Sequence, residues 1–354
     1  MKYIITIILL ISFFFGCVES PTNPKSNIGE LSEHGAYILC EGLYGQNNST
    51  LSRYDYKSEI AYNNYFKLIN GKNIGDTAND IVIKGDTTFI VVSTQNKILM
   101  FNTGTGKYYS EIQIEGGKCP RKMAVINDSI LLVTDLYCHC FWVINYNRKI
   151  ILQKVPTGPA PEGIVVTLDY IFVANSGLGD YLSDYAYSGT VSVFDRNTFN
   201  FITTFNGLPN VIELKISNKF NKLYARYNNL PKYTDSTGGI AEFDIATLTE
   251  TRRWIDKAGQ MSISEEQEKL FYISEKGVKV INLADTNSVP ELILIKQRAK
   301  DFWYSIAVNK NDLWIGNAKD YQSNGEILIY DLDNPQNPKK YLKVGLNPNT
   351  IVFF

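Results

Sequence analysis

Residues 160–175 read APEGIVVTLDYIFVAN, and after a polar stretch residues 189–205 read GTVSVFDRNTFNFITTF. Short runs of β-branched and aromatic residues, punctuated by Gly, Pro, Asp and Asn, are the mark of strands joined by turns. EGIVV, YIFVAN, GTVSVFD and FNFITTF therefore make four consecutive strands. The first two are joined by a turn around Leu168 and Asp169, and the last two by one around Arg196 to Thr198. A single four-stranded sheet cannot cover both of its own apolar faces, so the stretch predicts neighbours of the same kind.

The neighbours are present. Third-strand endings of the form apolar run plus Asp or Asn recur as SRYD (52–55), LMFN (99–102), WVIN (142–145), SVFD (192–195), AEFD (241–244), KVIN (279–282) and LIYD (328–331). A first-strand run recurs in matching register as TANDIVI (77–83), CPRKMAV (119–125), APEGIVV (160–166), LPNVIEL (208–214), AGQMSI (258–263), WYSIAV (303–308) and NPNTIVF (347–353). These starts lie about 40 to 50 residues apart, the size of one propeller blade. The expectation is an all-β, seven-bladed β-propeller over residues 35–354. The last first-strand run, 347–353, has no sequence after it to complete a blade. AYILC (36–40), TLSRYD (50–55) and YNNYFK (62–67) supply its three missing strands, closing the ring and removing exposed sheet edges.

The bulk composition excludes little else. The chain has 354 residues, is 44% hydrophobic and 20% charged, carries a formal charge of −1, and holds 23 tyrosines. No basic excess points to nucleic acid. At the N-terminus Lys2 precedes YIITIILLISFFF and Gly16-Cys17, a positive flank and an apolar stretch too short to span a bilayer. Phe14-Phe15-Gly16-Cys17 resembles the bacterial lipobox, with Phe14 where that motif has Leu. The resemblance implies a signal peptide over 1–16 and lipidation of Cys17; a plain secretion signal is the alternative. Residues 17–34, polar and with two prolines, read as a flexible tether that reaches about 55 Å when extended. Val18 stands where many inner-membrane lipoproteins have Asp, so the expected address is the outer membrane or cell surface, anchored by lipid. A secreted or periplasmic location is the alternative.

TGPAPEGIVV, YIFVANSG and GTVSVFD together resemble the YVTN repeat of YncE-like β-propellers, often grouped with quinoprotein amine dehydrogenase propellers. CEGLYGQNNSTLSRYD and FKLINGKNIGDTANDIVI look like the opening blade of surface lipoproteins that serve outer-membrane uptake. That group includes propellers that capture cobalamin for a TonB-dependent transporter. The resemblance implies a corrinoid or other small-molecule ligand and such a transporter as partner.

Links from outer to inner strand and from second to third strand share one face of the ring. That face carries the long segments 41–50, 176–189, 228–238 and 318–325. Long loops on a rigid scaffold are the usual place for binding. They present Tyr44, Tyr181, Asp184, Tyr185, Tyr187, Tyr233, Asp235 and Tyr321. Tyrosine offers a large contact area at low entropic cost with one hydrogen-bonding tip, suiting a planar, polar-edged ligand or a protein surface. The blander reading is that these loops only decorate the ring. One position per inner strand is expected to circle the channel mouth: Asn79, Arg121, Glu162, Asn210, Gly259, Trp303 and Asn349.

Common catalytic and cofactor motifs are missing from the sequence, and His34 and His139 are its two histidines. The expectation is a non-catalytic protein with no catalytic residues, no metal and no cofactor. A protein-interaction or envelope-structural role is the alternative, followed by a quinoprotein-like dehydrogenase or lactonase. Counting blades in chain order from TANDIVI as blade 1, Tyr137-Cys138-His139-Cys140 falls on the long-loop face between the second and third strands of blade 2. Cys119 lies in the link that opens the same blade. In an oxidising compartment a disulfide of Cys119 with Cys138 or Cys140 is expected, since an extended C-x-C pair lies near the upper limit of Cα separation. Tyr137 and His139 are then placed to touch a ligand, and Cys40 is a lone buried thiol.

Overall fold

The computed structural model describes residues 28, 30–179, 181–228, 238–298 and 300–354. The expectations for the leader, Cys17, Tyr233 and Asp235 fall outside these residues. Within the compact unit Ser32–Phe354, twenty-eight strands of the described residues make seven four-stranded antiparallel sheets. Each inner strand touches the inner strands of two neighbours, round to the contact of Pro348–Phe353 with Ala78–Lys84. The fold is a seven-bladed β-propeller, as the repeat predicts.

Burial follows from that arrangement. Second and third strands such as Ile130–Asp135 and Cys140–Asn145 are buried at nearly every position, because neighbouring blades cover both faces. The apolar clusters accordingly lie between blades: Phe89, Val91 and Ile98 of blade 1 pack with Leu131, Val133 and Trp142 of blade 2. Outer strands such as Phe201–Phe205 are largely exposed.

The chain closes as the sequence predicts. Pro348–Phe353 pairs with Gly35–Cys40, which pairs with Thr50–Asp55. Gly35 and Phe354 exchange two backbone hydrogen bonds of 3.0 Å, and the Phe354 ring stacks on Tyr37 at 4.6 Å. One closing element differs from expectation. The outer strand is Ile60–Tyr62, which shares only Tyr62 with the expected YNNYFK strand, and the rest of that stretch turns into a short helix, Tyr65–Asn70. Asn64 adopts a left-handed conformation (φ 51°) and turns the chain, so that Phe66 packs edge-on against Phe101 of blade 1 at 5.5 Å. Asn70 holds the helix end by donating to Phe66 O and Gly106 O, and it accepts from Tyr108 N. Packing against the next blade overrides continued pairing.

An inner strand has one sheet neighbour, so half of its backbone groups need partners elsewhere. Side chains of the preceding blade supply several. Asp80 accepts from Met123 N (2.8 Å), Glu213 from Met261 N (3.1 Å), Gln260 from Ile306 N (3.0 Å) and Ser262 from Val308 N (3.1 Å). These bonds set the register of one blade against the next, and with it the residues at the channel mouth.

Candidate functional site

Six of the seven inner strands share a break in register near their first residues. Pairing skips Asn79, Arg121 with Lys122, Glu162 with Gly163, Ile212, Tyr304 and Asn349. A residue bulged out of the ladder is free to turn away from its sheet, here at the channel end of the blade. Asn79, Arg121, Glu162 and Asn349 occupy this position as expected. Three expected members do not. Gly259 precedes the blade 5 inner strand, Met261–Ser264, which pairs without a break. In blade 4 Ile212 takes the place assigned to Asn210, which sits in the preceding turn with φ 49°. In blade 6 Tyr304 takes the place assigned to Trp303, which is buried with Phe271, Ile306 and Tyr330 between blades. Residue spacing alone aligned the blade 4 and blade 6 strands two residues and one residue too early, because their leading segments have different lengths.

On one side of the mouth Arg121 forms a two-pronged pair with Glu162, at 3.0 and 3.3 Å. Burial opposes the guanidinium charge, but Glu162 overrides it and the Arg121 pKa moves up. The buried Asn79 amide, oriented to suit both contacts, donates to Arg121 O (3.2 Å) and accepts from Arg121 Nη1 (2.8 Å). On the other side, Tyr304 donates to Glu41 Oε1 at 2.6 Å and Asn349 Nδ2 donates to Oε2 at 3.2 Å. Burial, then the Glu41 charge, raises the Tyr304 hydroxyl pKa, so it stays a proton donor. The same two causes push Tyr321 up to about 12. Phe302, Tyr304 and Tyr321 form one aromatic cluster, with ring centroids 4.6 to 6.2 Å apart. Gln260 crosses to Asn349 O at 2.9 Å. Asn349 is 5% exposed, and its Oδ1 has no partner among the described residues.

Sequence spacing missed Glu41, Gln260 and Tyr304. Glu41 follows the AYILC strand directly, which was the available signal; Gln260 and Tyr304 each stand one residue beyond the expected position. The remaining loop residues do not converge. Tyr181 and Tyr185 are 86% and 65% exposed, Asp184 is exposed, and Tyr137 is half exposed. Tyr187 packs against Phe201 of the outer strand, at 6.0 Å.

The cysteine expectation is corrected. Cys138 bonds to Cys140, and Cys119 and the buried Cys40 are free. The chain is not extended here: His139 adopts φ 54° and its N–H returns to Asp135 O at 3.1 Å, leaving the cysteine Cα atoms 5.3 Å apart. The buried Asp135 carboxylate accepts from the backbone N–H groups of Lys118, Cys119 and Cys138 and from Trp142 Nε1. Ala160 N donates to His139 Nδ1 at 2.9 Å. A nitrogen that accepts such a bond carries no proton, so the proton sits on Nε2. His139 is exposed and offers a ligand an N–H rather than a metal-binding lone pair.

A family model matches residues 34–309. The chain belongs to the DUF5074 family, a domain of unknown function. No curated protein matches it. Among solved structures, this DUF5074 chain is similar to a quinonprotein alcohol dehydrogenase-like protein from Bacteroides thetaiotaomicron, at 15% identity and TM-score 0.70. That match covers 91% of this chain and 78% of the other. Kuenenia stuttgartiensis hydrazine synthase matches at 14% identity and TM-score 0.64, covering 78% and 95%. The Neurospora crassa Pan2 WD40 domain matches at 15% identity and TM-score 0.53, covering 78% and 81%. At these identities the likeness is one of fold, and the propeller hosts unrelated functions.

Proposed function

We propose that this DUF5074 propeller is a non-catalytic ligand-capture protein whose channel mouth takes a ring-shaped ligand edged with N–H donors. The observation that carries the reading is the Glu41, Asn349 and Tyr304 group. A carboxylate and an unpartnered amide oxygen sit together beside the Phe302 and Tyr321 rings. Acceptors in such a setting favour a donor-rich ligand, and the rings favour a flat apolar face. A corrinoid, with its amide-bearing rim, has that chemistry. The lipobox-like Phe14–Cys17 supports a lipid-anchored outer-membrane or cell-surface protein that passes the ligand to a TonB-dependent transporter.

The test is isothermal titration of the propeller with cyanocobalamin and cobinamide. Binding is expected, and Glu41→Gln and Tyr304→Phe should each weaken it about tenfold or more, the scale of a hydrogen bond to a charged group. No heat at micromolar protein overturns the corrinoid reading. The highly exposed Tyr44, Tyr181 and Tyr185 favour a second reading, a docking face for a protein partner. Crosslinked pull-down that recovers one partner independently of added corrinoid would select it.

A further inference from the structure

A second cavity lies away from the channel. It is a groove of about 410 Å³ between the outer strand Ile150–Pro156 of blade 2 and the third and outer strands of blade 3. Val155 and Phe194, 3% and 2% exposed, form its floor, and Phe201 and Tyr187, 51% and 55% exposed, form an open aromatic wall. The rings do not make a parallel slot. Tyr187 meets Phe201 at 62° and Phe194 meets Phe201 at 76°, so together they form a corner.

The polar part of the lining is uncharged. The Gln153 and Asn200 amides and the Tyr187 hydroxyl line the groove, and among the described residues none of these three side-chain groups has a hydrogen-bond partner. Free amides and a phenol recognise hydroxyl groups, and no lining side chain carries a charge to neutralise a phosphate, carboxylate or ammonium. A corner of aromatic rings cups one apolar face of a puckered ring, whereas a flat heteroaromatic ring is better held in a parallel slot. The ligand these features describe is neutral, has one apolar face and carries a rim of hydroxyls.

We propose that the groove between blades 2 and 3 binds a neutral pyranose sugar, stacked on Phe201 and Tyr187 and held at its edge by Gln153 and Asn200. The site is independent of the channel mouth and does not rest on the capture reading above. The experiment is saturation-transfer NMR of the whole propeller with cellobiose, chitobiose, maltose and lactose, each at 10 mM, run alongside Phe201→Ala, Asn200→Ala and Tyr304→Phe. Transfer to pyranose ring protons is expected for at least one sugar. It should vanish in Phe201→Ala, drop about fivefold in affinity in Asn200→Ala, the scale of one neutral hydrogen bond, and persist in Tyr304→Phe. Phe201 is on an exposed outer strand, and an unchanged melting temperature will show that its variant folds. Absence of transfer from all four sugars overturns the proposal, as does transfer that survives Phe201→Ala.

Discussion

Replacing Glu213 with Ala tests the bonds that register one blade against the next. Glu213 Oε2 accepts from Arg226 Nε at 2.8 Å and from Met261 N of the following blade at 3.1 Å. The two side chains of the ion pair are 14% and 12% exposed, so truncation strands Arg226 in a mostly dry place. Removing one partner of a fully buried pair costs roughly 3–5 kcal/mol, and the remaining exposure reduces this to about 2–3 kcal/mol. The orphaned Met261 N–H adds about 1 kcal/mol, giving about 3–4 kcal/mol in all. With an unfolding entropy of about 2.1 cal/mol/K per residue, the 323 residues of Ser32–Phe354 lose about 1.5 °C of Tm per kcal/mol. The expected shift is therefore about 5 °C, read by scanning calorimetry or dye fluorescence. Lys215, 3.5 Å from the other Glu213 oxygen but 42% exposed, is the control, and Lys215→Ala should move Tm by less than about 1 °C. Adding Arg226→Met to Glu213→Ala should recover part of the loss, since it removes the stranded charge. The reasoning is refuted if Glu213→Ala melts within 1 °C of Lys215→Ala, or if the Arg226→Met loss simply adds.

Two further outcomes follow from the same structure. Peptide mapping of the oxidised, alkylated protein should recover Cys138 joined to Cys140, with Cys119 labelled in the folded state. Cys40, fully buried and with its thiol pushed up to about 12 by that burial, should label only after unfolding; finding Cys119 in a disulfide would refute the assignment. Asp244 is held down to about 2 by its hydrogen bond from Lys222, then by the Thr247 N–H. Its folded value lies below the unfolded value of about 3.9, so its contribution is present above pH ~4 and is lost as pH falls toward ~2. The Tm gap between the native protein and Asp244→Asn should be open at pH 6 and close by pH 2; a gap constant with pH would refute the claim.

The sequence by itself determined the blade count, the strand order and the closure of the ring. These depend on period and composition: seven apolar runs ending in Asp or Asn, seven inner-strand runs in step with them, most of them led by Gly or Pro, and a final inner strand that needs Gly35–Cys40 beside it. Local pattern carries such features because each blade repeats the same burial problem. It also placed Asn79, Arg121, Glu162 and Asn349 at the mouth, where leading segments of similar length preserve the alignment. Tertiary structure decided the rest. The bulges set which side chain leaves the ladder, so Ile212 and Tyr304 replaced Asn210 and Trp303 by shifts of two residues and one. Glu41 entered the site from a loop 263 residues distant from Tyr304 in sequence. The cysteine pairing turned on one left-handed residue, His139, which folds an otherwise extended C-x-C segment back on itself. Tyr187 left the loop face for the side groove because Phe201 on the outer strand offered a ring to pack on. Contacts of this kind join residues that share no local pattern, so only the packed ring of blades brings them together.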